Sequence, residues 1–201
     1  GIKEISKIKS DIKNKILVDL KKISKNKKFK NLKFSHKPLL MGVLNLTPNS
    51  FSDGGKFNKK NYGEKHAKKL FKDGCNILDI GGEATNPGSK EVDADSEWKR
   101  IFPTLLKVKK LKRFISLDTR KSSIMEKGIE NKINLVNDIS GLEHDANTIN
   151  VLKKSNIPFV IHHIQGNPIT MQKDPKYKHV VLDIYDFFEK KIKDFKIAKY
   201  K

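Results

Sequence analysis

Met41-Gly-Val-Leu-Asn-Leu-Thr-Pro-Asn-Ser-Phe-Ser-Asp-Gly-Gly55 opens as a short apolar run and closes as a polar loop, with Asn45 at the join. The same change recurs down the chain. Asp79, Asp118, the pair Asn137 and Asp138, and the pair His162 and His163 each end or follow an apolar run. The runs themselves predict strands over Leu39–Leu46, Asn76–Ile80, Phe114–Leu117, Ile133–Asn137 and Ile157–His162. Between them, helical spacing predicts helices near Tyr62–Lys72, Ser96–Lys110, Lys121–Asn131 and Ala146–Lys154, and a last one over Val180–Lys199. Gly74, Gly128 and Asn156 fall where helix C-caps are expected. Continuous apolar strands alternating with helices imply a parallel sheet covered by helices. An open doubly wound sheet gathers its polar site at one switch point, whereas a β/α barrel spreads it over many strand ends. Here each strand contributes. The expected fold is an α/β, TIM-type (β/α)8 barrel, of which about five βα units are present.

Composition narrows the function classes. The chain has 201 residues, 36% hydrophobic and 33% charged, which suits a globular protein rather than a disordered one. No run reaches the roughly 18 apolar residues of a membrane-spanning helix. The start of the chain lacks the apolar core of a secretory signal. Cys75, the single cysteine, excludes an internal disulfide framework and points to a reducing, cytoplasmic setting. Its place before the second strand predicts a buried structural thiol. The net charge of +20 invites a nucleic-acid partner, yet only three of the 43 basic residues are arginine. We expect no nucleic acid and no membrane, but a basic field that favours an anionic small molecule. The sequence does not fix the oligomeric state and is compatible with a homodimer.

Residues 1–37 stand apart as a Lys-rich extension, with 13 lysines against three acids. Ile2, Ile5, Ile8, Ile12 and Ile16 predict an amphipathic helix, expected to dock on the main domain rather than on a membrane surface. Lys25 to Lys37 reads as a polar linker. The barrel portion is then 38–201.

The stretch from Met41 to Gly55 and Asp79-Ile-Gly-Gly-Glu-Ala-Thr-Asn-Pro-Gly88 resemble the two signature segments of the dihydropteroate synthase family, which are pterin-binding enzymes. Ser116-Leu-Asp-Thr-Arg-Lys121, Val136-Asn-Asp-Ile-Ser-Gly141 and Ile161-His-His-Ile-Gln-Gly-Asn-Pro168 resemble its next three strand-end motifs, in the same order and spacing. The resemblance runs from about Pro38 to the C-terminus. It implies a transferase of folate biosynthesis. That enzyme condenses 6-hydroxymethyl-7,8-dihydropterin diphosphate with 4-aminobenzoate to 7,8-dihydropteroate and releases diphosphate. Two other readings stay in play: a pterin-binding methyltransferase and a non-catalytic pterin-binding module. The Thr47–Gly55 loop favours the synthase, because a methyltransferase has no aminobenzoate or diphosphate to enclose.

The resemblance also implies roles. Asn45 matches the residue touching Mg²⁺ and the diphosphate, and Mg²⁺ is the implied cofactor. Asp118 and Asn137 match the pair that reads the pterin ring, a nearby carboxylate would stabilise a cation-like methylene, and Asn45 and Asp118 are the expected catalytic residues. The alternatives are a helix N-cap for Asp118 and a turn-holding amide for Asn137. Thr85 and Pro87 would line the aminobenzoate and diphosphate region, and Ser50 and Phe51 would close over the aminobenzoate, unless Phe51 is ordinary loop packing. Asp79 points into the barrel mouth, as either a structural or a catalytic group. Consecutive strand residues face opposite ways, so His162 and His163 cannot readily share a metal ion; one is expected to face the pocket. His36, His66, His144 and His179 read as surface residues.

This chain departs from the family pattern in several places. Asn86 stands where the family has arginine, with Lys90 as a nearby substitute cation. His162 and Ile164 replace the methionines that usually flank the histidine. The family's later-strand motifs, which include an Asp-Pro-Gly segment, a lysine and an Arg/His pair for diphosphate, are not present. The sequence is therefore expected to be a partial one, inactive and unstable by itself.

Overall fold

A computed structural model describes residues 10–24, 27–29, 32–34, 38–47 and 61–197. The chain divides into two compact units, 1–39 and 40–201.

The first unit holds helix α1 (Ser10–Ser24) and two short strands, β1 (Lys27–Phe29) and β2 (Leu32–Phe34). Part of the predicted amphipathic helix is seen as α1; Ile2, Ile5 and Ile8 lie outside the described residues. The linker reading of 25–37 is corrected. β1 and β2 pair antiparallel, with Phe29 opposite Leu32 and Lys27 opposite Phe34. Three-residue strands rich in lysine are too short to show a two-residue period, which is why composition hid them.

The second unit is a five-stranded parallel sheet in the order of the sequence. Its strands are β3 (Met41–Asn45), β4 (Ile77–Gly81), β5 (Phe114–Asp118), β6 (Leu135–Asp138) and β7 (Phe159–Ile161). Helices follow them in turn: α2 (Tyr62–Lys72), α3 (Ala94–Val108), α4 (Ser122–Glu130), α5 (Thr148–Ser155) and α6 (Val180–Ile197). A short 3₁₀ turn, Lys109–Leu111, extends α3. Sequential parallel pairing with a helix after each strand is the TIM-type barrel arrangement, of which five βα units are present.

Local chemistry sets the element ends. Asp93 caps α3 by accepting from Ser96 N at 2.8 Å. Asn156 ends α5 in the left-handed region at φ 50°, as the C-cap prediction required. Gly128 was expected at a C-cap too, but it lies inside α4. A Cβ there would come 2.4 Å from Leu117 Cδ2, so the glycine permits close approach of helix and strand rather than a chain reversal.

The two faces of the sheet differ. On one side Leu44, Leu78, Ile80, Leu117 and Val136 pack under α3, α4 and α5 with Ile101, Leu105, Met125 and Leu152. Burying each such side chain stabilises the fold by about 1.5–3 kcal/mol. The alternate residues of the same strands, Asn45, Asp79, Asp118 and Asn137 among them, face the other way.

Candidate functional site

Strand register brings the strand-end polar groups into one line. Asn45 pairs with Gly81, Gly81 with Asp118, and Asp118 with Asn137. Partners in a parallel sheet share a face and lie about 4.8 Å apart, so the four positions form a row across the barrel's inner surface. Gly81 leaves the gap in that row. A Cβ at Gly81 would stand 3.2 Å from Asp118 Oδ2 and 3.6 Å from Asn45 Oδ1, so the carboxylate and the amide converge over bare backbone.

Below the row, Asp79 is 4% exposed. Asn137 Nδ2 donates to Asp79 Oδ2 at 2.8 Å, and His162 Nε2 lies 2.7 Å from Asn137 Oδ1. Asp79 Oδ1 has no hydrogen-bond partner among the described residues. Burial pushes the Asp79 carboxyl above its usual range, against the opposing effects of the nearby Ser116 hydroxyl and the Asn137 amide. Asp118 is moved further, to about 8, by burial first and then by the negative charges of Asp79, Glu97, Asp138 and Glu83. Asp118 makes no cap contact; Lys121 is the N-cap of α4. Asn137 is not a turn-holder either, because that work falls to Asp138, whose Oδ1 accepts from Ser140 N and Oγ at 2.8 and 2.7 Å.

Beside the row an open cavity of about 880 Å³ is lined by Asn45, Thr85, Asn86, Pro87 and Lys90, with Met171 from the segment after β7. Lys90 and Asn86 thus face the same space. Gly88 N donates to Pro168 O at 2.9 Å, tying the loop after β4 to the loop after β7. Ser50 and Phe51 lie outside the described residues.

His162 and His163 diverge. His163 stacks edge-on against Phe187 of α6, with ring centroids 4.8 Å apart, while His162 meets Asn137. His179 accepts from Leu182 N at the start of α6, and His66 lies parallel to the Tyr62 ring. His36 lies outside the described residues. His144 is exposed, as expected, and also contacts two charged side chains. Its Nδ1 lies 3.4 Å from Arg120 Nη1 and its Nε2 3.2 Å from Glu91 Oε1. Cys75 is buried before β4, and burial raises its thiol.

A buried ionic cluster was missed in the sequence. Arg120 Nε and Nη2 donate to the two oxygens of Glu83, both at 3.1 Å. Lys121 Nζ bridges Glu83 Oε2 and Glu97 Oε2, both at 2.8 Å. Glu83 also accepts from Val92 N at 2.8 Å, which ties down the far end of the β4 loop. Burial alone would raise the Glu83 carboxyl, but Arg120 and Lys121 outweigh it and hold it at about 2. All four residues except Glu97 stand within the quoted motifs, so an acid in one motif and two bases in the next was the available signal.

The sequence profile described as pterin binding enzyme matches residues 41–199. Dihydropteroate synthase of Neisseria meningitidis serogroup B is 41% identical over 150 residues, 74% of this chain and 53% of that protein. The Bacillus subtilis enzyme of the same name is 41% identical over 133 residues, 66% of this chain and 47% of its own length. The chain therefore spans about half the length of these curated relatives. Among solved structures, Yersinia pestis dihydropteroate synthase with a sulfonamide drug superposes with a TM-score of 0.79 at 31% identity, covering 88% of this chain and 65% of that one. The Burkholderia cenocepacia enzyme complexed with 7,8-dihydropteroate gives 0.72 at 30% identity, covering 85% and 57%. The Xanthomonas albilineans enzyme with 4-aminobenzoic acid gives 0.74 at 29%, covering 85% and 60%. Strand-end row, cavity and matched profile agree: this chain belongs to the pterin-binding enzyme family.

Proposed function

We propose that the protein carrying this chain is a dihydropteroate synthase. Its substrates are then 6-hydroxymethyl-7,8-dihydropterin diphosphate and 4-aminobenzoate. The observation that carries this reading is the convergence of Asn45 and Asp118 over Gly81 beside a cavity lined by Thr85 and Pro87. The names and ligands of the relatives support it.

Each group has a role in that reaction. Asp118 and Asn137 hold the pterin ring, whose N–H donors favour an ionised Asp118 once bound. Asn45 faces the departing diphosphate. The C–O bond to diphosphate breaks with its electron pair on oxygen, and the aminobenzoate amine forms the new C–N bond to the methylene. The amine proton leaves to solvent. A nearby carboxylate stabilises the electron-poor methylene, and no covalent enzyme intermediate is needed. Thr85, Pro87 and the cavity wall position the aminobenzoate, and Lys90 supplies a cation where the family pattern has arginine. Ser50 and Phe51 are proposed to close over it.

Mg²⁺ is proposed to travel with the diphosphate. Among the described residues there is no group of three or more His, Cys, Asp or Glu able to cage an ion. Asn45 at the cavity offers an amide oxygen, a hard donor of the kind Mg²⁺ takes alongside substrate oxygens. Bound there, it would neutralise charge building on the leaving group. No helix among the described residues is long and apolar enough to cross a membrane, and the lone buried thiol supports a cytoplasmic enzyme.

The test is steady-state turnover of the protein with both substrates. Asn45→Ala should lower diphosphate release far more than it weakens pterin binding. Equal loss of both would discredit the role given to Asn45, and no turnover by the parent protein would discredit the reaction itself.

A further inference from the structure

Three polar side chains make one continuous hydrogen-bonded line through the row: His162, just past the end of β7, Asn137 at the end of β6, and Asp79 in β4. His162 Nε2 meets Asn137 Oδ1 at 2.7 Å, and Asn137 Nδ2 meets Asp79 Oδ2 at 2.8 Å. The amide oxygen carries no hydrogen, so the imidazole nitrogen must be the donor. The direction of the line is thereby fixed from His162 towards Asp79.

The backbone around His162 is built to aim that ring inward. Its neighbour His163 is clamped on the outer side by Phe187 at 4.8 Å and Tyr177 at 5.8 Å between ring centroids. Gly141, at φ +64°, lies so close that a Cβ would stand 2.7 Å from the His162 carbonyl oxygen. With its neighbour anchored outward, His162 is left facing Asn137.

We propose that His162 is a positioning residue, whose Nε2–H fixes the orientation of the Asn137 amide that reads the ligand. A carboxamide held at one end only can swing about its last torsion. Reversed, it would offer a donor where an acceptor is needed. Held at both ends, Asn137 keeps one N–H and one oxygen lone pair for a ligand edge that presents an acceptor beside a donor. Asp118, its register partner, supplies the neighbouring contact. The pterin as that ligand rests on the function proposed above; the hydrogen-bonded line does not.

The experiment measures binding of 6-hydroxymethylpterin by calorimetry to the parent protein, His162→Leu and His162→Gln, with ¹⁵N-histidine NMR alongside. His162→Leu should raise the pterin Kd about tenfold, the loss of roughly one buried hydrogen bond. The KM for 4-aminobenzoate should stay within about twofold. His162→Gln, which restores an N–H donor, should stay within about threefold of the parent in Kd. The parent should show a protonated Nε2 at His162 that becomes solvent-exchangeable in Asn137→Ala. An unchanged Kd in His162→Leu, or a glutamine variant as weak as the leucine one, would overturn the proposal. If the parent binds no pterin, the proposed function falls instead. The Nε2 signal then decides: sensitivity to Asn137→Ala sustains the positioning role, and indifference overturns it.

Discussion

Replacing Lys121 by methionine should cost about 3–5 kcal/mol of folding stability, the range for orphaning one half of a buried ion pair. Lys121 Nζ is the cation that the described residues place against Glu97, whose side chain is 0% exposed, and one of two that hold Glu83. The remaining carboxylate would have to stay buried uncompensated or take up a proton. An independent route leads to a similar size. The Glu83 carboxyl sits at about 2 instead of an ordinary 4.5. At about 1.4 kcal/mol per unit, that corresponds to a few kcal/mol as the net of burial against Arg120, Lys121 and the Val92 amide. Because the folded-state value is depressed, this stabilisation is complete above 4.5 and is lost as pH falls towards 2. Urea unfolding followed by circular dichroism at pH 7 gives the loss, and the same titration at pH 3 should show a smaller one. A paired change, Lys121→Met with Glu97→Leu, removes the orphaned charge and should recover at least about 1 kcal/mol over the single change. A loss below about 1 kcal/mol in Lys121→Met, or a double variant no better than the single, would refute the reasoning.

Two further outcomes follow from geometry on the same sheet. Asp118→Asn should be more stable than the parent at pH 8, by about 1 kcal/mol or more, with the difference vanishing below pH 4. The folded Asp118 sits at about 8 against 3.8, so folding takes up a proton that the unfolded chain has released, and the parent loses stability as pH rises between those values. Thermal melts across that pH range check it, and an asparagine variant less stable at pH 8 would contradict it. Gly128→Ala should lower the urea midpoint despite alanine's better helix propensity, which favours it by about 1 kcal/mol. Its new Cβ would stand 2.4 Å from Leu117 Cδ2 and 3.1 Å from Ile133 Cδ1, an overpacking worth about 1–3 kcal/mol. A higher midpoint would show that the helix moves away freely.

The barrel was legible because each strand carries its own statement of direction. An apolar run followed by one polar group fixes which end is the mouth, and Asn45, Asp118 and Asn137 then fall into register without further information. The ionic cluster was not legible to the same degree. Glu83 and Lys121 are 38 residues apart, and no local period tells which of many lysines reaches which acid. Arg120 and Lys121 stand within a strand-end motif, yet the motif says nothing of burial. The β1–β2 hairpin failed for the opposite reason: its strands are too short for the alternation that betrays longer ones. Gly128 shows a third limit, since a glycine near a helix end looks alike in sequence whether it caps the helix or lets a leucine approach.

The row across β3, β4, β5 and β6 also constrains how such a protein can change. Adding or deleting one residue inside any of these strands would turn its polar end towards the helices and its helix-facing apolar residues towards the barrel interior. The sheet therefore tolerates exchange of side chains but not a change of count. Beyond the row the backbone is free of that parity, and loops there can lengthen or shorten without disturbing Asn45, Asp118 or Asn137. Diversification in this architecture, natural or directed, is channelled past the strand ends, into segments that touch substrate without setting the register.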